Sequence, residues 1–149
     1  MDKAKLGKAY FTAAVVSAGI FGAVFLYAVV GEMLRHFGHK PPLQPPAAYA
    51  VKYALYLLSA SSLLIVRLAA AKFSERKPTP EATLKALTTG AIVTAAACEV
   101  PGVSALVLLL LTGSYPDFYL LLAFSAALEV YHFPRLPLWE ERLRGEGHL

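Results

Sequence analysis

Glu99 stands near the middle of an otherwise apolar run, Leu87 to Leu111. An ionisable side chain at the centre of a bilayer costs at least about 2.5–3.5 kcal/mol on insertion scales, so such a residue faces a partner, a cavity or a transported ion. On a helix, Glu99 is bordered by Ala95 and Ala96 one turn earlier and by Gly102 and Val103 one turn later. These small side chains form a notch that can admit a partner helix, a water or an ion. Pro101 has no amide proton to offer the carbonyl of Ala97, which predicts a kink and a free carbonyl beside the carboxyl. A carboxyl next to an unbonded carbonyl suits a proton or cation site. The alternative role is a hydrogen bond from Glu99 to a neighbouring helix that fixes packing.

Two further groups have spacings that could support chemistry. Glu129 lies one turn before Phe133 in Glu129-Val130-Tyr131-His132-Phe133-Pro134-Arg135, with Arg67 expected at similar depth on another helix. A Glu129–Arg67 ion pair would neutralise both charges, and a proton-entry role for Glu129 with His132 is the alternative. Glu32 and His36 share a helix face, and His39 follows the Gly38 stop, so the three could hold a metal ion, although no fourth donor accompanies them.

The elements that must position these residues are membrane helices. The chain has 149 residues, 57% of them hydrophobic, and its apolar residues fall into separate long runs. This composition predicts an all-α fold, a four-span transmembrane bundle with its third helix kinked at Pro101, and a single integral membrane domain over 1–149. The spans are expected at about 9–30, 47–71, 86–111 and 116–133, followed by a cytoplasmic tail, 134–149. The first run continues well past the Val16-Ser17-Ala18 imitation of a signal cleavage site, so a retained helix is expected. His39 to Pro46 is too rich in proline for a helix and reads as an extended strap. Thr79 or Thr83 is placed to cap the third helix, and Lys52 and Arg67 are placed to snorkel.

Lys and Arg count eleven on the side of the N-terminus, second connector and C-terminus, against three on the other side. The bias predicts a multi-pass protein of the cell inner membrane with both termini in the cytoplasm. The basic residues flank apolar runs and form no tract interleaved with aromatics, which argues against nucleic-acid binding and leaves the lipid bilayer as the expected partner. The lone cysteine, Cys98, excludes an internal disulfide. Small residues recur at Ala14, Ala18 and Gly22, and again at Gly90, Thr94, Cys98 and Gly102. Such ladders serve either intramolecular packing or the seam of a homo-oligomer or larger membrane complex. In the tail, Leu136 to Leu143 sets Leu and Trp against charges, which suggests a segment resting on the membrane with Trp139 as its anchor.

The segment Ala97-Cys98-Glu99-Val100-Pro101-Gly102-Val103-Ser104-Ala105-Leu106-Val107-Leu108 resembles the ion-carrying helix of rotary ATP synthase c subunits, where a mid-membrane Glu or Asp is followed by small and aliphatic residues. The likeness spans a dozen residues, and Pro101 and the missing glycine-rich partner helix depart from the family pattern. It implies reversible protonation of Glu99 and nothing about rotation. The whole chain is also similar to small uncharacterised bacterial four-helix membrane proteins ending in a segment like Phe133-Pro134-Arg135…Trp139-Glu140, a resemblance that implies no activity. No nucleotide-binding glycine loop, nucleophilic serine motif or zincin signature occurs, so a non-enzymatic protein without a cofactor is expected. The leading function is a proton- or cation-responsive transporter, channel or accessory component acting through Glu99. A structural or assembly subunit is the runner-up, and a membrane-embedded enzyme on lipid or quinone substrates comes third.

Overall fold

The computed structural model describes residues 3–75 and 77–144, and every regular element among them is a helix. In chain order these are α1 (Lys3–His36), α2 (Ala47–Ser74), α3 (Pro80–Thr112), α4 (Tyr115–His132) and α5 (Leu136–Arg144). Arg76, counted above toward the inner side, and the tail after Arg144 lie outside the described residues. Three helices, α1, α2 and α3, are long and apolar enough to cross a membrane. At 34 and 33 residues, α1 and α3 run for about 50 Å at 1.5 Å per residue, longer than a hydrocarbon core of about 30 Å.

α3 is the central post and packs against all four other helices. Half of its most apolar stretch is buried, against 17% for α1 and 22% for α2. The outer helices instead turn Phe11, Phe25 and Leu26 (α1) and Tyr53, Leu57 and Leu68 (α2) outward. Exposed apolar surface on that scale suits a lipid solvent rather than water.

Local chemistry sets the helix ends. Gly38, at φ +67°, closes α1 with bonds from its own amide to Arg35 O and from His39 N to Leu34 O. Paired bonds of this kind satisfy carbonyls that a helix end would otherwise leave open. Thr79 caps α3, its hydroxyl accepting from Ala82 N at 3.2 Å, and Pro80 takes the first helical position. Thr83 is thus not the cap. Its hydroxyl bonds back to the Thr79 carbonyl at 3.1 Å.

The other end of α3 explains the proline strap. Of its last carbonyls, Leu108 O accepts from the Thr112 hydroxyl, Leu109 O from Gly113 N, Leu110 O from the His39 imidazole and Leu111 O from Leu43 N. The strap therefore lies across the end of α3 as its cap. Gly113, at φ +68°, lets the chain turn where a Cβ would sit 3.0 Å from Pro41 Cγ.

At the opposite end, Leu6 and Ala13 of α1, Leu84 and Leu87 of α3 and Trp139 of α5 form one cluster. Trp139 is 6% exposed, packs edge-on to Tyr10 and docks α5 against the bundle. This corrects the expected role of Trp139 as a membrane anchor. The indole packs on Tyr10 and the Leu6–Leu87 cluster instead, and Tyr10 Oη also donates to Pro134 O at 3.3 Å.

Candidate functional site

Glu99 faces α1. Tyr27 donates its phenol proton to Glu99 Oε1 at 2.5 Å, joining the first and third helices, and the carboxyl is half-buried. Gly102 makes the approach possible, because a Cβ there would lie 3.0 Å from Ser125 Oγ and 3.4 Å from Tyr27 Cδ2. The small residue one turn after Glu99 thus admits a tyrosine from α1 and a serine from α4. Ser125, fully buried, donates to Cys98 O at 2.7 Å and ties α4 to the same stretch of α3. That bond goes to the carbonyl next to the one freed by Pro101, and α3 is helical on both sides of Pro101.

One turn along α4 from Ser125 is Glu129, 2% exposed, with its Oε1 lacking any hydrogen-bond partner. Ser125 ties this turn of α4 to the Cys98 carbonyl, next to Glu99 in the chain. The other buried side-chain oxygen without a partner among the described residues is Ser17 Oγ of α1. The contacts Tyr10–Pro134 and Gly31–Phe118 fix the register of α1 against α4. Between them, Ser17 and Glu129 fall at similar depth. The bundle therefore holds Tyr27 and Glu99, half-buried, and Ser17 and Glu129, buried, and neither carboxyl takes part in an ion pair among the described residues.

The expected Glu129–Arg67 pair does not form. Arg67 is exposed on α2 while Glu129 is buried in the bundle, so the two do not share a face. His132 does not join Glu129 either, since its Nδ1 lies 3.0 Å from Leu128 O of its own helix. The proposed metal group is likewise not assembled. No set of three ligating side chains gathers among the described residues. Glu32 accepts from the Tyr119 hydroxyl and lies 3.9 Å from Arg35, His36 stacks edge-on with Phe37, and His39 caps α3.

A second polar cluster, not foreseen, closes the strap end. Asp117 accepts from Lys52 Nζ at 2.8 Å, from the Tyr56 phenol at 2.8 Å and from the Ser114 hydroxyl at 2.5 Å, joining α2 to α4. Lys52 is held by this carboxylate and does not snorkel freely. The sequence signal was a cation near the start of α2 and an anion at the start of α4, which the alternating topology brings to the same end. At the opposite end, Lys5 and Glu81 pair at 2.8 Å outside the apolar runs. Their hydrogen bond raises the Lys5 ammonium and lowers the Glu81 carboxyl from their ordinary values.

The small-residue ladders divide. On α3, Gly90 meets Phe73, Cys98 is fully buried and Gly102 meets Ser125, so that ladder packs inside the chain. On α1, Ala18 is exposed and a Cβ at Gly22 would meet nothing within 4 Å. The fold and site together define an all-helical protein whose three long apolar helices fit a membrane protein with polar groups in its interior. No protein-family model, curated protein or solved structure matches the chain.

Proposed function

We propose that the chain is a four-span inner-membrane protein, with both termini in the cytoplasm, that responds to protons or passes them through Glu99 as a small transporter, channel or accessory component. In this reading α4 is the fourth crossing. Its 18 residues reach about 27 Å at 1.5 Å per residue, adequate for a thin bilayer. α3 bends at Pro101, and the freed carbonyl of Ala97 adds an acceptor near the carboxyls.

The observation that carries the reading is the buried carboxyl of Glu129 with an oxygen left without a partner, one turn along α4 from the Ser125 that bonds to α3 beside Glu99. A carboxylate buried without a cation is costly, so a proton is the counter-ion such a group takes up most readily. The buried carboxyl thus favours the proton over a metal cation as the ion handled. Tyr27 supplies the mechanical link. A phenol donates more strongly to an anionic carboxylate than to a neutral acid, so proton uptake at Glu99 loosens the bond between α1 and α3.

The test is proton uptake by proteoliposomes that enclose a pH-sensitive dye under an imposed potassium diffusion potential. Uptake is expected with the native protein, absent with Glu99→Gln and reduced with Glu129→Gln. Equal uptake by the native protein and Glu99→Gln would overturn the reading.

The open face of α1 at Ala18 and Gly22 favours a second reading, a structural or assembly subunit whose first helix docks on another copy or on a larger membrane complex. Gly22→Leu would then dissociate a complex purified in mild detergent while leaving the monomer folded.

A further inference from the structure

A cleft of about 350 Å³ opens between α2, α3 and α4 at the end where α5 docks. At the far end α2 and α4 are tied by Lys52, Tyr56 and Asp117, whereas here Ala69 and Ala70 of α2 face Tyr131 of α4 across α3. The floor is largely apolar, with Ala69, Ala70 and Phe73 of α2 opposite Leu87, Ala91 and Thr94 of α3, and Phe73 covering Gly90. The rim is different. Arg135 and Arg142 line it, both exposed and neither ion-paired among the described residues, although Arg144 beside them is paired with Glu140. A groove with an apolar floor and two unpaired guanidinium groups at its mouth matches an amphiphile with an anionic head.

We infer that this cleft binds an anionic phospholipid, its acyl chain lying along Ala70, Ala91 and Thr94 and its phosphate held by Arg135 and Arg142. Two points on the molecule select a lipid over a soluble anion. The floor would be left wet by a bare phosphate, and the mouth lies where helices α2 and α3 leave their apolar runs. Guanidinium also forms paired hydrogen bonds with phosphate oxygens. Basic clefts between membrane helices at the headgroup level favour anionic lipids for these reasons. The inference rests on the chain being embedded in a bilayer but not on proton handling by Glu99, and it holds in either orientation.

Trp139, the only tryptophan, lines the cleft and reports its occupancy. The full-length protein is reconstituted in vesicles of phosphatidylcholine containing a minor fraction of phosphatidylglycerol, with bromine on the acyl chains of one lipid or the other. Brominated phosphatidylglycerol is expected to quench Trp139 in excess of its mole fraction, and brominated phosphatidylcholine is not. Replacing either arginine, Arg135→Gln or Arg142→Gln, should weaken the preference about fivefold, the factor that follows from about one kcal/mol for each basic residue near a membrane surface. Ala70→Phe fills the cleft mouth without changing charge and should lower quenching by the anionic lipid, with helicity by circular dichroism unchanged. Equal quenching by both lipids overturns the inference, as does a preference that survives loss of both arginines. Abolition of the preference by millimolar inorganic phosphate would show that the site reads a free anion and would also overturn it. Absence of quenching by either lipid would overturn bilayer embedding itself.

Discussion

Removing the Tyr27 hydroxyl tests whether the contact between α1 and α3 at Glu99 stabilises the fold. The bond is short, 2.5 Å, and half-buried, and Gly102 holds its two helices close. Hydrogen bonds between membrane helices average about 0.6 kcal/mol and reach about 1.7 kcal/mol. A short bond to a carboxyl group belongs at the upper end, so Tyr27→Phe should cost about 1–2 kcal/mol. Glu99→Leu removes the acceptor instead and leaves the phenol without a partner, which costs about 1–3 kcal/mol. In the double variant neither group remains to be left unsatisfied, and the two losses should fall short of additivity by about 1 kcal/mol or more. The assay is reversible unfolding in mixed micelles by increasing sodium dodecyl sulfate, followed by far-ultraviolet circular dichroism and by the fluorescence of Trp139. A coupling below about 0.3 kcal/mol, the scatter seen for independent sites, would refute the energetic link.

Other predictions follow from packing and topology. A Cβ at Gly90 would lie 2.6 Å from Phe73 Cβ, whereas one at Gly22 would meet nothing. Gly90→Ala should therefore cost about 1–3 kcal/mol through overpacking, while Gly22→Ala should be neutral or gain about 0.5–1 kcal/mol in the monomer, and the reverse order in unfolding would contradict the packing. Cys98 is fully buried against α4, so it should resist water-soluble thiol reagents in the intact protein, and rapid labelling would reveal a water-filled path beside Glu99. In a Cys98-free background, a cysteine in the strap at Pro42 should react with impermeant reagents from outside intact cells, whereas one at Glu75 should not. The opposite pattern would invert the topology.

The long apolar runs made helices α1 to α3 legible, because a bilayer leaves a spanning segment little choice but to satisfy its own backbone. Gly38, Thr79 and Gly113 likewise marked their helix ends through local backbone chemistry. Glu99 was visible as a carboxyl in apolar sequence, and its small-sided notch was visible too. What filled the notch was not, because Tyr27 lies 72 positions away and only the rotation of α1 about its axis turns it toward α3. The same rotational freedom separates Glu129 from Arg67. Depth along a helix can be estimated from the sequence, but the face that each helix turns to its neighbour is settled by packing, and it put Arg67 outside while Glu129 went inside. The histidines differ for another reason. His36 and His39 have a ligand-like spacing, yet a carbonyl at the end of α3 needs a donor and the strap brings His39 to it.

The central claim, that Glu99 and Glu129 act as one proton-holding pair, is tested most directly by infrared difference spectroscopy of the reconstituted protein across a pH series. The carbonyl stretch of protonated carboxyl groups is read in the native protein, Glu99→Gln and Glu129→Gln. The account predicts that each substitution removes one band and also displaces the other, as members of a coupled pair do. Bands that titrate independently, each unmoved by loss of the other residue, would contradict it.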